Sequence, residues 1–314
     1  MKALIIGAGG FVGRYLINEL SAERGWTVCA TKLPCEKLQA DTDFISADLD
    51  ILDEAAVTAL LEDFKPDYIF HLAAQSSVAL SWKKPALTVD INIKGSINLL
   101  EAVRKNGLKA RIIMIGSGEE YGHAANKDTA VDESTAPDPG NIYAVTKYAQ
   151  NMISGLYCKA YEMDIISVRA FNHIGPGQLP QFVVADFCKQ AVEIEQGKKE
   201  PVIKVGNLAA KRDFTDVRDI VRAYGEIALK GRTGETYNVG SGRAVPIQSI
   251  LNKICQLSTA DIRIETDPER FRPADVPKIE ADITKLNRDT GWTPVIETEK
   301  SLLDIMDYWR NSDT

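Results

Sequence analysis

The segment that most restricts this chain is Gly7-Ala8-Gly9-Gly10-Phe11-Val12-Gly13, a glycine run directly behind the short apolar stretch Lys2–Ile6. An apolar run of that length ending in glycine reads as a buried strand, and the amphipathic stretch Phe11–Ala22 beyond it reads as a helix. Glycines spaced G-x-x-G-x-x-G between a strand and a helix have separate duties. Gly7 permits the tight turn, Gly10 lets the backbone approach a pyrophosphate, and Gly13 lets helix and strand pack closely. From Phe11 and Val12 onward the helix start offers free N–H groups and a positive dipole end to phosphate oxygens. Glycines also mark plain turns. Their placement between strand and helix is what predicts a dinucleotide site here.

The same alternation continues. Candidate strands fall at Lys2–Ile6, Trp26–Thr31, Asp43–Ala47, Tyr68–His71, Arg111–Gly116 and Ile165–Ala170, with helical stretches at Phe11–Ala22, Leu52–Phe64, Pro85–Lys105 and Tyr143–Tyr161. Strands lacking polar alternation and separated by helices predict a parallel sheet covered on both faces, an α/β doubly wound Rossmann fold that binds ligands at its carboxyl edge. After about Asn172 the pattern loosens, with Gly175–Pro180, Gly197–Pro201, Gly231–Gly234 and Phe271–Pro277 as punctuation. The expected organisation is an NAD(P)-binding domain over 1–171, with later chain crossings back into it. A smaller substrate lobe accounts for most of 172–314.

Composition excludes some classes. A net charge of −7 leaves no basic footprint for nucleic acid or an anionic membrane, so positive groups for an anionic ligand must be concentrated locally. Five widely spaced cysteines without a C-x-x-C pair suit reduced thiols, and three histidines without H-E-x-x-H predict no metal site. No apolar stretch at the start is long enough for a signal peptide or a membrane span. A cytoplasmic protein is expected.

The end of the second strand bears on cofactor choice. An acid there would bind the ribose hydroxyls of NAD and repel the extra phosphate of NADP. The position falls at Thr31 and Lys32, with Glu36 the nearest acid, and a hydroxyl plus a cation predicts NADP(H) with NAD(H) tolerated; a solvated lysine is the alternative. Asp48 and Leu49, after the third strand, are placed to meet the adenine. Leu72, Ala73 and Ala74, after the fourth, offer small residues where the nicotinamide end must pass.

Tyr143 and Lys147 stand four apart at the start of a helical stretch, hence on one face, and Ser117 lies just past the fifth strand at the carboxyl edge. A tyrosine titrating near ~10 is a poor proton shuttle at neutral pH, and a nearby ammonium would favour its phenolate. Lys147 can do this and hold the nicotinamide ribose, while Ser117 can hydrogen-bond the reacting oxygen. Y-x-x-x-K alone occurs by chance in many helices. Its distance from the glycine loop, with Ser117 between them, makes it specific.

With these pieces the whole chain resembles an extended short-chain dehydrogenase/reductase, through GAGGFVG, DYIFHLAA, SGEEYG, YAVTK, FNHIGPGQ, KRDFTDVRD and RPADVP. FNHIGPGQ, RDFTDVRD and the R-P-x-acid element most resemble the GDP-6-deoxy-4-keto-mannose reductases, which form GDP-rhamnose. The resemblance puts Ser117, Tyr143 and Lys147 on the family's catalytic residues. Dehydratases of the family carry an acid/base pair directly after that serine or threonine. Here Gly118 and Glu119 fall there, so one carboxylate is missing. That favours simple reduction of a keto group, with Glu119 either a substrate contact or a solvated loop acid.

The resemblance also implies that Asn172 contacts the sugar nucleotide, that Arg212 and Arg272 chelate its diphosphate, and that Asp275 accepts from ribose hydroxyls. Two arginines from separate loops suit bidentate recognition of a diphosphate. His173 is expected to be a packed or hydrogen-bonded residue. The leading expectation is an NAD(P)H-dependent 4-keto reductase of a GDP-linked 6-deoxy sugar. A 4,6-dehydratase or 4-epimerase with tightly bound NAD, and more remotely a dinucleotide-sensing regulator, stay open. Apolar residues beyond one face (Ile91, Ile93, Ile97, Leu99 and Leu100; Met152, Ile153, Leu156 and Tyr157), with the family's habit of pairing these helices, predict a homodimer through Pro85–Lys105 and Tyr143–Tyr161.

Overall fold

The computed structural model describes residues 1–125, 129–270 and 276–312. Strand β1 (Lys2–Ile6) shows why the first apolar run has no polar alternation. Ala3 and Ile5 enter a core with Leu16 and Ile220, whereas Leu4 and Ile6 enter a second core with Leu61 and Leu99 on the other face. Each fully buried aliphatic side chain contributes about 1.5–3 kcal/mol. A register slip in β1 would still present apolar side chains to both cores, so the Gly7 turn helps to set where the strand ends.

Helix α1 (Gly13–Asn18), strands β2 (Thr27–Lys32) and β3 (Ile45–Asp48), helix α2 (Glu54–Phe64) and strand β4 (Tyr68–His71) follow. Then come α3 (Val78–Lys83), α4 (Pro85–Val89), α5 (Gly95–Lys105), β5 (Arg111–Ser117), α6 (Ile142–Tyr161) and β6 (Ile165–Ala170). Among the described residues these six strands and a seventh form one parallel sheet, in the order seventh, β6, β5, β4, β1, β2, β3. The chain moves outward from β1 to β3, then restarts on the other side of β1 with β4. This reversal opens a crevice beyond the carboxyl ends of β1 and β4, the usual ligand position in open α/β sheets.

Past β6 the chain makes β7 (Asn172–Ile174), α7 (Val183–Glu195), β8 (Val202–Val205), β9 (Lys211–Asp216), α8 (Val217–Lys230) and β10 (Thr236–Val239). Strand β10 is the seventh strand of the main sheet, and α8 sends Ile220, Val221 and Tyr224 into the core beside α1. The remaining elements are β11 (Ala244–Pro246), α9 (Ile247–Leu257), β12 (Arg263–Thr266), β13 (Lys278–Ile279), α10 (Thr284–Thr290) and α11 (Thr298–Arg310). A small sheet of β11, β9, β13 and β7 and a β12–β8 pair pack with α7, α9 and α11 around Phe187, Ile250, Leu251, Leu302 and Met306. No helix among the described residues is long and apolar enough to cross a membrane.

Several expected boundaries move. The strands expected at Trp26–Thr31 and Asp43–Ala47 begin one and two residues later and each runs one residue further, and α3 was not foreseen. Its start is set by Ser77, whose Oγ accepts from Leu80 N at 3.2 Å. The stretch expected as one helix over Pro85–Lys105 is divided by a π-helical turn at Asp90–Lys94. Within it Asn92 is fully buried. Its Oδ1 accepts from Gln75 N at 2.8 Å, and its Nδ2 donates to Gln75 O and Thr146 Oγ1, which accounts for the interruption. Leu99 and Leu100, expected outside the core-facing stripe, belong to the core; Met152 and Leu156 are exposed.

Candidate active site

A cavity of about 820 Å³ opens at the crevice, and Ser117, Tyr143 and Lys147 all line it. Ser117 ends β5 and caps the 3-10 turn Gly118–Tyr121. Its Oγ accepts from Glu119 N at 3.2 Å, and Glu120 Oε1 reaches back to accept from Ser117 N at 2.9 Å, a reciprocal capping box. Asn141 caps α6 by accepting from Ala144 N, which fixes Tyr143 in the first turn, and Lys147 stands one turn on. Of the three, none is more than 8% exposed.

Burial governs their titration. The Tyr143 phenol is pushed well above its ordinary range by loss of solvent, opposed by a hydrogen bond with Ser117 and reinforced by the charges of Glu119 and Glu120. Lys147 is brought down to about 8, again by burial, with Glu120 opposing. Its ammonium donates to Ile115 O at 2.7 Å and Gln150 Oε1 at 3.0 Å. Burial thus raises the phenol, the opposite of the lowering expected from Lys147, and favours its protonated form.

Behind the serine lies an ion pair that sequence reasoning missed. Glu120 is fully buried, bonded to Arg169 Nε at 2.9 Å and Asn151 Nδ2 at 3.2 Å. Arg169 also donates to Tyr121 Oη, which donates to Asn238 Oδ1 at 2.8 Å. Nothing in SGEEYG distinguishes this inward glutamate from a solvated loop acid. Its neighbour Glu119 lines the cavity and accepts from Asn141 Nδ2 at 3.2 Å. Gly118 is closely packed: a Cβ there would lie 3.0 Å from the Phe171 ring.

At the other end, Gly7, Gly10, Phe11, Val12 and Gly13 line the cavity, with Leu49, Leu72, Ala73 and Ala74. Gly7 has φ +85°, and a Cβ on Gly13 would stand 1.9 Å from Ala8 O, so both positions need glycine. A Cβ on Gly10 would meet nothing nearer than Gly7 O at 3.7 Å. That clear space beside a helix N-terminus fits a diphosphate.

Two cofactor expectations need correction. Thr31 is 1% exposed and its Oγ1 accepts from Gly7 N at 3.1 Å, so its hydroxyl braces the glycine loop and is closed to a 2′-phosphate. Asp48 does not line the cavity; its exposed carboxylate is drawn to the Lys32 ammonium, and the adjacent wall is formed by Leu49, Asp50 and Ile51. Lys32 does line the cavity. So does Glu36, which the sequence placed beyond the strand as the nearest acid.

On the substrate side Asn172 is exposed and lines the cavity. His173 packs against Phe11 with rings 6.0 Å apart and bonds Phe171 O through Nδ1, and burial lowers its pKa. Arg212 was expected at the diphosphate. It is 8% exposed, lies outside the cavity lining, and donates to Lys211 O and Val276 O, so it braces β9 against the segment leading to β13. Arg272 and Asp275 lie outside the described residues. Arg14, unforeseen, lines the cavity and donates to Pro176 O at 2.8 Å. Its place in the first turn of α1 carried no sequence signal.

This combination defines a class. The chain belongs to the GDP-mannose 4,6 dehydratase family, which matches residues 4–305. It is 31% identical to the GDP-6-deoxy-D-mannose reductase of Pseudomonas aeruginosa over 99% of this chain and 97% of the relative. Against the GDP-mannose 4,6-dehydratase of Vibrio cholerae it is 28% identical, covering 97% and 92% of the two chains. The structure of RMD from Pseudomonas aeruginosa complexed with NADPH superposes with a TM-score of 0.87 at 30% identity, covering 99% of this chain and all of the other. The UDP-glucose 4-epimerase of Thermotoga maritima, solved with UDP-glucose, reaches 0.89 at 30% identity, covering 99% of each chain.

Proposed function

We propose that this chain is an NAD(P)H-dependent oxidoreductase that reduces the 4-keto group of a GDP-linked 6-deoxy sugar, converting GDP-4-keto-6-deoxy-D-mannose to GDP-D-rhamnose. The observation that carries this reading is the pairing of a protonated Tyr143 with a Gly118 that offers no carboxylate and packs closely against Phe171. Reduction needs a phenol with a proton to give, and burial keeps that proton in place. Elimination of water needs an additional acid next to Ser117. A side chain at 118 would begin in tight contact with the Phe171 ring, 3.0 Å away.

In this reading NAD(P)H, when bound, supplies the hydride. Tyr143 donates its proton to the oxygen that gains charge, Ser117 gives that oxygen a second hydrogen bond, and Lys147 stabilises the phenolate left behind. The glycine loop, Leu49 and Leu72–Ala74 hold the dinucleotide, while Lys32 favours NADP(H) without excluding NAD(H). Asn172, Glu119, Arg272 and Asp275 serve the sugar nucleotide, with most of that role in the 172–314 lobe and the cofactor role in 1–171. Relatives of both reductase and dehydratase kind support the class.

Glu119 gives a second reading some support, since it is a carboxylate on the cavity wall. A 4,6-dehydratase with retained NAD would use it as the base for the proton alpha to the ketone, whereas a 4-epimerase needs only the triad. The test is a panel assay with NADPH. Oxidation of NADPH with GDP-4-keto-6-deoxy-mannose, and no change to GDP-mannose, supports reduction. Conversion of GDP-mannose by this protein alone overturns it. Turnover of a dTDP- or UDP-linked ketosugar instead keeps the chemistry and discards the base.

The protein in this reading is cytoplasmic and binds neither nucleic acid nor membrane. It pairs as a homodimer through Pro85–Lys105 and Tyr143–Tyr161, supported by the exposed Val89, Met152 and Leu156. Two-fold pairing of these faces would be isologous. Light scattering should return twice the chain mass; a monomer at micromolar concentration contradicts it.

A further inference from the structure

The carboxylate of Glu120 sits at the junction of the three elements that form the catalytic corner. Its Oε1 accepts from Ser117 N at the end of β5, and its Oε2 accepts from Asn151 Nδ2 on α6 and Arg169 Nε on β6. All three partners donate, which favours the ionised form. The seat is made by a glycine, since a Cβ on Gly116 would stand 2.3 Å from Glu120 Oε1. Lys147 comes to the same place. Its ammonium donates to Ile115 O, and residues 115 and 117 show their backbone polar groups on one edge of β5, beyond the point where β4 ends. Asn151 follows Lys147 by four residues and shares its face of α6. The ion pair is also oriented. The Arg169 guanidinium lies over the Tyr121 ring, 4.7 Å from its centre, and donates to its hydroxyl, so the negative end of the pair is the one facing β5 and α6.

The proposed reduction uses Lys147 as a cation, and burial works against that charge. We propose that Glu120 is a positioning residue acting through Lys147: its buried carboxylate, clamped between β5, α6 and β6, holds the neighbouring lysine as an ammonium during turnover. The other groups around the lysine do not supply this charge. Tyr143 and Tyr224 of α8 are raised by burial and hold their protons, and His71 of β4 is kept neutral by burial. Lys83, Asp90 and Lys94 on the preceding helical turns are exposed, and Glu101 of α5 is bonded to Arg104 and Tyr157. Glu119, the other carboxylate of the turn, accepts from Asn141 on the cavity wall. The titration of Lys147 agrees in direction, with burial lowering it and Glu120 opposing.

This rests on the reading of the triad as a reductase site, and a direct titration of Lys147 separates the two. Competitive acetylation with acetic anhydride across the neutral and alkaline range, read by peptide mass spectrometry, gives the midpoint of that lysine without turnover. The variants are Glu120→Gln, the paired Glu120→Gln with Arg169→Met, which removes both charges, and Glu120→Asp, which keeps the carboxylate. Denaturant unfolding checks that each is folded. Loss of a nearby opposite charge disfavours the ionised form, so both neutral variants should lower the Lys147 midpoint by about one pH unit. The alkaline fall of reductive kcat should move down with it while KM stays nearly constant, and Glu120→Asp should keep the wild-type midpoint. A pair that only holds the fold together would change stability and leave the midpoint where it was. An unchanged midpoint in the folded paired variant therefore overturns the role of Glu120. Failure of the wild type to reduce the ketosugar, with the midpoint still moved by the neutral variants, overturns the reaction and leaves Glu120 in its place.

Discussion

At the β5–α6 corner Ser117, Tyr143 and Lys147 are almost wholly buried, and the network behind them, Glu120 with Arg169, Asn151 and Tyr121, holds its polar groups in mutual hydrogen bonds. At the end of β2 the groups facing the same cavity are partly exposed and carried on a turn: Lys32 against Asp48, Glu36 against Leu33 N. The first corner has titrations displaced by burial, pushing Tyr143 up and Lys147 down. The second lies partly open to water. Chemistry that depends on proton position is placed where geometry is over-determined. Choice between two similar cofactors is placed where a few exposed charges can be rebalanced.

The comparison is broken most directly at Tyr143. Tyr143→Phe should lower kcat by about 10²–10⁴-fold, while dinucleotide binding and thermal stability stay near wild type. A variant with near-normal kcat would remove Tyr143 from proton donation. The next largest effect belongs to the supporting pair. Arg169→Met leaves Glu120 buried without its cation, which should cost about 3–5 kcal/mol in denaturant unfolding. Adding Glu120→Gln should recover part of that loss. A cost below about 1 kcal/mol for the single variant would mean the pair does not hold the corner together.

The pH profile tests the same corner more gently. Burial brings Lys147 to about 8, so it is a cation below that pH and neutral above it. The cation is the form that stabilises the Tyr143 phenolate left after proton donation. Reductive kcat should therefore be level through neutrality and fall as pH rises through about 8. A profile flat to pH 10 would take the Lys147 charge out of the step. The smallest effect is expected at the exposed end. Lys32→Ala breaks a partly solvated pair with Asp48 and should change folding stability by only about 0.2–1 kcal/mol, and NADPH affinity more than NADH affinity. Equal loss of both cofactors would show that Lys32 supports the loop rather than the 2′-phosphate.

The doubly wound sheet was legible because β1, β4 and β6 are apolar runs between glycine or helical segments, and their bounds match expectation. Ser117, Tyr143 and Lys147 were legible because a strand end and an i, i+4 spacing specify position without knowledge of packing. What escaped depends on direction. Thr31 and Lys32 are neighbours on one strand and point to opposite environments, one bonded to the glycine loop and one to the cavity. Arg212 sits in a motif that suggests a ligand, and its buried guanidinium also donates to two backbone carbonyls, which no motif records. Glu119 and Glu120 are adjacent and chemically identical, and the turn sends one to the cavity and the other to Arg169. Side-chain direction in turns and loops is a tertiary outcome, and no periodicity records it.

The central claim is net reduction at a site whose tyrosine starts protonated. The most direct measurement is the stoichiometry and label transfer with deuterated NADPH and GDP-4-keto-6-deoxy-mannose. One NADPH should be consumed for each GDP-rhamnose formed, with the transferred deuterium at C4 of the sugar. Turnover of a nucleotide sugar without net consumption of NADPH would contradict the account and assign the same residues to an epimerase or dehydratase.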